Sequence, residues 1–414
     1  MGAAVIRWLA VGSAALLVFV AAPVTAAAAV NGCSSSAVTY RGATPWAENL
    51  IDPWRIWPLS TGTGVTVAVI GTGVDARNPQ LAGGTVLPQI DLLNGGAIPD
   101  CNGWGTFAAG IVAAQHNDAT TFVGVAPGAH ILPIRYTQPT STGIDGADPA
   151  QLAVAINRAS DAGAKVILVV VPSPVDSPDL DAAVQHAHDR GALIVSPAAA
   201  TQAGVPSYPT ATTCVAGSRV PARTPCVLAV GGVDSAGSAV QTEAGDYVSV
   251  AAPGADLVST SAGTGGGLGH LTGVGGAQSP YYSAAYVAGV AALLWSYQPA
   301  LTQNQVVNRI TSTASHPADG HDAHLGWGVV NAYAAVAAPP SADLRWPGTA
   351  IAAGPVRTVA PAPVTDSASS PYRWVGIAAL LCVVLAALIV VAASAVRRGR
   401  ARGWRLGRLR LPER

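Results

Sequence analysis

VTVAVIGTGVDARNPQL, residues 65–81, decides the fold. Its opening half is an apolar, β-branched run that reads as a buried strand, and Gly71-Thr72-Gly73 ends it as a turn. The same grammar returns further along. Residues 165–171 are almost wholly Val, Ile and Leu, and residues 192–195, 227–231 and 247–251 are shorter runs of the same kind. Between and after them come helical patterns at residues 106–114, 151–162, 179–190 and 283–297, with Gly191 placed to stop the third. Strands that alternate with helices predict an α/β fold of three layers. A mainly parallel sheet lies in the middle, covered on both faces, which is why its strands are apolar at successive positions.

The 414 residues carry no net charge, but the balance is uneven. The last 18 residues hold eight Arg and one Glu, and Arg7 stands near the start, so the intervening residues carry −8. An acidic middle argues against a nucleic-acid surface there. Residues 1–29 join Arg7 to an apolar run and a small-residue stretch, the pattern of a cleaved signal peptide. Residues 374–396 are apolar and uncharged, long enough at about 1.5 Å per residue to cross a bilayer core of about 30 Å as a transmembrane helix. The Arg-rich residues 397–414 follow directly, so the tail is expected in the cytoplasm and the large domain outside the cell membrane.

Residues 30–63, with Trp46, Trp54 and Trp57, read as an irregular N-terminal arm. Residues 338–373, with seven prolines, read as an extended linker. Four cysteines fall outside the span. Cys214 and Cys226 flank a Pro- and Gly-containing loop and are expected to pair, which leaves Cys33 to tie the arm to Cys101. Cys382 lies in the span. No Cys-x-x-Cys pair or neighbouring His completes a metal site, and no cofactor motif is present.

Three blocks then carry a resemblance: residues 65–81, DCNGWGTFAAGIVAA at 100–114, and SPYYSAAYVAGVAALL at 279–294. They resemble, in order, the Asp, His and Ser blocks of subtilisin-like serine proteases. FVGVAPGA at 122–129 and GWGVVNA at 326–332 resemble two further stretches of that family. Together with the arm, linker and single span, these features resemble the mycosins, the membrane-anchored subtilases of type VII (ESX) secretion. The resemblance implies a subtilisin-like fold over residues 64–337 and a place beside type VII membrane-complex proteins.

It also implies positions for a catalytic triad, and these hold unexpected residues. Gly71 stands at the Asp position, Trp104 at the His position and Tyr281 at the Ser position, with Ala200 at the position of the oxyanion Asn. Peptide hydrolysis by a serine protease needs a hydroxyl to attack, an imidazole to take its proton and a carboxylate to orient that imidazole. In subtilisin itself, loss of the Ser or the His alone costs about 10⁶ in kcat. The expectation is therefore a pseudoprotease, not an enzyme, that serves as an extracytoplasmic scaffold. The rival expectations are an active endopeptidase using displaced residues and a cell-surface peptide-binding module. Ser279 and Ser283 are each two residues from Tyr281, about 200° around a helix and so facing away. Asp75, His116 and His130 read as solvated turn or surface residues.

Overall fold

The computed structural model describes residues 38–93, 100, 102–138, 147–199, 208–209, 226–262, 267–274 and 280–338. The chain divides into two compact units, Met1–Ala352 and Ala353–Arg414, and every described residue belongs to the first. The expected signal peptide, transmembrane span and basic tail lie outside the described residues, as does all of the linker but Ala338. Among the described residues no helix is long and apolar enough to cross a membrane.

Seven strands form one parallel sheet: β1 (Thr66–Gly71), β2 (Ile90–Asp91), β3 (His130–Arg135), β4 (Val166–Val169), β5 (Leu193–Pro197), β6 (Val227–Val233) and β7 (Val248–Pro253). Their order across the sheet is β2-β3-β1-β4-β5-β6-β7, and each neighbouring pair is parallel. β8 (Leu257–Thr260) and β9 (His270–Val274) make a separate antiparallel hairpin. Every residue of β4, β5, β6 and β7 is buried, as both-face coverage requires.

The helices are α1 (Trp46–Ile51), α2 (Pro53–Ile56), α3 (Trp104–Ala113), α4 (Pro149–Asp161), α5 (Pro178–Asp189), α6 (Ser283–Tyr297), α7 (Gln303–Ser312) and α8 (Ala332–Ala337). α3 and α6 pack on each other and on the sheet, while α4 and α5 form a second pair against β1, β3, β4 and β5. Their ends are written locally. Asp148 caps α4 at the Ala150 amide, and Ser177 caps α5 at the Leu180 amide, each ahead of a proline at the first helical position. Thr302 and Gln305 close a capping box at the start of α7.

The arm is not irregular throughout, as the sequence reading has it: α1 and α2 lie within it. Each has six residues or fewer, too short to show a helical period, and Asp52 in the left-handed region (φ 51°) separates them. Trp46 donates from Nε1 to the Ala255 carbonyl (3.0 Å) and Trp57 to that of Val125 (3.0 Å).

Candidate functional site

Positions 71, 104 and 281 converge although they are far apart in sequence. Gly71 is the last residue of β1 and is buried. Trp104 opens α3 just after Gly103, whose φ of 79° only glycine adopts freely. The corner between them is tight: a Cβ on Gly105 would stand 1.9 Å from the Gly73 carbonyl oxygen. Tyr281 lies in the 3-10 turn Pro280–Tyr282 that leads into α6. Its neighbour Tyr282 is buried and stacks on Phe107 of α3, ring centroids 4.4 Å apart. The three positions therefore meet where β1 ends and α3 and α6 begin, the end of a parallel sheet at which ligands of open α/β folds are bound. Trp104 and Tyr281 are both half-buried. Burial, and secondarily the charge of Glu243, hold the Tyr281 hydroxyl above its ordinary pKa.

The residue that organises this corner is Asp100, which the sequence reading did not single out. Its carboxylate accepts from the Thr72 hydroxyl (2.8 Å) and Gly103 amide (3.1 Å) at Oδ1, and from the Thr106 amide (2.8 Å) and hydroxyl (2.7 Å) at Oδ2. The Thr72 hydroxyl in turn accepts from the Gly105 amide (3.1 Å). One buried carboxylate thus ties the end of β1 to the first turn of α3, where unpaired helix amides favour an anion. Burial raises the Asp100 pKa, and the bonds from Thr106, Thr72 and Gly103 oppose that rise. The signal available in sequence was an acidic residue a few positions ahead of a helix start.

Other sequence expectations divide. Asp75 is not solvated: it is fully buried, takes the Arg77 guanidinium at 2.7–2.8 Å, and its own amide donates to the Thr106 hydroxyl (2.9 Å). The chain folds back after the Gly73 turn, which puts Asp75 under α3 rather than in water. His116 and His130 are exposed. Ser283 is buried, and among the described residues its hydroxyl has no hydrogen-bond partner. Cys226 is buried and disulfide-bonded. Ala200, Ser279, Cys33, Cys101, Cys214 and Cys382 lie outside the described residues. Among the described residues no three His, Cys, Asp or Glu side chains gather to hold a metal. A separate open cavity of about 680 Å³, lined by Trp46, Asn49, Arg55, Asp234 and Tyr333 among others, contains none of the three positions.

The model of the Subtilase family matches residues 62–328, and the chain belongs to that family. It is similar to Mycosin-1 of Mycobacterium tuberculosis, 34% identical over 357 residues that cover 77% of each chain. Among solved structures it is similar to the MycP3 protease from the type VII (ESX-3) secretion system, with TM-score 0.60 and 31% identity over 74% of this chain and 93% of that one. It is similar also to a chain of an intact ESX-5 inner membrane complex, with TM-score 0.59 and 26% identity over 88% of this chain and 94% of that one.

These findings correct the expectation of a pseudoprotease that is no enzyme. The family matched over residues 62–328 is a peptidase family, and the similar solved structure is described as a protease. Gly71, Trp104 and Tyr281, the residues expected at the triad positions, lie within the stretch that the Subtilase family matches. Peptide hydrolysis by this chain would draw on groups other than a carboxylate, an imidazole and a serine hydroxyl at those three positions, since none of them holds one.

Proposed function

We propose that this chain is a mycosin-like subtilase that works within the membrane complex of a type VII secretion system. Its subtilase domain stands on the extracytoplasmic side, anchored by one span at residues 374–396 with the Arg-rich tail inside. The observation that carries this reading is the similarity to a chain of the intact ESX-5 inner membrane complex, which covers 88% of this chain and so extends well beyond the matched subtilase residues. The uncharged run followed by eight Arg supports the orientation.

The test is native electrophoresis of detergent-solubilised membranes carrying a tagged full-length chain. The chain is expected to migrate in a high-mass assembly with the secretion-complex membrane proteins. Migration as a lone protein, before and after mild cross-linking, overturns the proposal. Protease added to spheroplasts checks the orientation, with degradation of the domain and survival of the tail as the expected result.

A further inference from the structure

The first described residues, 38–43, run as a strap over the β8–β9 hairpin. The His270 amide donates to the Val38 carbonyl (2.8 Å), and the Thr39 hydroxyl donates to the Leu268 carbonyl (2.7 Å). The Thr121 hydroxyl donates to the Gly42 carbonyl (3.0 Å). Tyr40 packs on a small apolar cluster of Ala114, Phe122 and Val258, distinct from the main core.

A further bond joins the strap to the domain, from the Tyr40 amide to Nδ1 of His270 (3.2 Å). That bond requires a bare Nδ1. The state of the ring follows from its other side, where Nε2 lies 2.7 Å from Oε1 of Gln80. Gln80 donates from its amide nitrogen to the carbonyls of Gln115 (2.7 Å) and Phe122 (2.9 Å), so its oxygen is fixed as an acceptor. Nε2 of His270 must then carry the hydrogen, and Nδ1 must accept. The ring is neutral, in one tautomer, buried to 2% exposure, with the Phe122 ring edge-on at 5.6 Å.

We propose that His270 is an acid-operated latch for the strap at residues 38–43. A proton on Nδ1 turns the acceptor into a donor facing the Tyr40 N–H, and the strap lifts from the hairpin while the parallel sheet stays folded.

The groups around the ring are Tyr40 from the strap, Gln80 from the segment after β1, Phe122, and Thr260 opposite it on β8. Tyr40 is the one titratable side chain among these, and its hydroxyl donates away from the ring to the Ala43 carbonyl (2.7 Å). Burial lowers the His270 pKa from 6.5 to about 4, and among the described residues no charged group contributes. The sign follows: the latched form holds above about pH 6.5, weakens as pH falls from there, and is half-protonated near pH 4.

The test is amide hydrogen exchange on the full-length protein, corrected for intrinsic rates, from pH 7 to pH 3. Between about pH 6.5 and pH 4, protection of the Tyr40 and His270 amides should fall about tenfold per pH unit and then level off, while β1 and β4 keep theirs. In His270→Asn, whose side-chain oxygen can still accept but does not titrate, the acid step should vanish. In His270→Phe the strap should exchange freely at every pH. The latch is overturned if the acid step persists in His270→Asn, or if strap and sheet lose protection together. Nitrogen NMR of the ring needs no variant: Nδ1 should titrate together with strap release, and titration without release overturns the proposal as well.

Discussion

Asp100 and Glu48 are both buried carboxyl groups, 4% and 3% exposed, in two neighbourhoods that treat them oppositely. Asp100 sits where β1 meets α3 and accepts four hydrogen bonds from Thr72, Gly103 and Thr106. Glu48 sits in α1, and among the described residues neither of its oxygens has a hydrogen-bond partner. Burial pushes its pKa up from 4.5 to about 8, and the nearby Val123 backbone amide offsets this only in part, without a hydrogen bond of good geometry. Tyr286 of α6 lies close enough for a charge on Glu48 to help hold its hydroxyl protonated. The difference teaches that burial alone does not decide what a carboxylate does for a fold. Donors prepaid by a helix start make Asp100 a fastener, whereas their absence makes Glu48 a group that prefers its proton at neutral pH.

The largest effect should come from breaking the fastener. Asp100→Ala leaves two amides and two hydroxyls buried without their acceptor, and should cost about 4 kcal/mol in urea unfolding. A loss under about 1 kcal/mol would remove Asp100 from the centre of this corner.

Glu48 should act with the opposite sign. Because its folded pKa lies above its unfolded one, its favourable contribution is complete below about pH 4.5 and is lost as pH rises towards about 8. Glu48→Gln should flatten that decline and raise stability at pH 7 by about 3 kcal/mol. Equal slopes of stability against pH for wild type and variant between pH 4.5 and 8 would show that Glu48 is solvated or paired.

Thr106→Val trims the fastener without removing it. It takes one hydroxyl from Asp100 and removes the Thr106 oxygen to which the Asp75 amide donates. The expected cost is about 1–2 kcal/mol, with the Asp100 carboxyl driven further upward in pKa, readable by carbon NMR of the side chain.

Much of the fold was legible as runs of apolar residues. The helix expected at residues 283–297 is α6 residue for residue, and the runs at 165–171 and 227–231 contain or begin β4 and β6. β3 was missed because Pro133 interrupts its pattern. The outward-facing amide of Ile131 pairs with Thr85, but Pro133 falls between that contact and the two-residue β2, where no ladder bond is asked of it. α7 was missed although its Thr302–Gln305 capping box is written in the sequence.

The sequence by itself determined the alternation of strands and helices and the ordered blocks that mark a subtilase, and from those blocks came the expectation that Gly71, Trp104 and Tyr281 stand at the triad positions. It did not determine the setting of the polar groups. Asp75 reads as solvated and is buried, Asp100 is not singled out by the sequence and is the fastener, and His270 gives no sign of its single tautomer. The physical reason is distance along the chain. Apolar periodicity is a local property, readable within a dozen residues. The charge state of a buried group depends on desolvation and on partners such as Tyr40 and Gln80, some 230 and 190 residues from His270, which only the folded chain brings within bonding range.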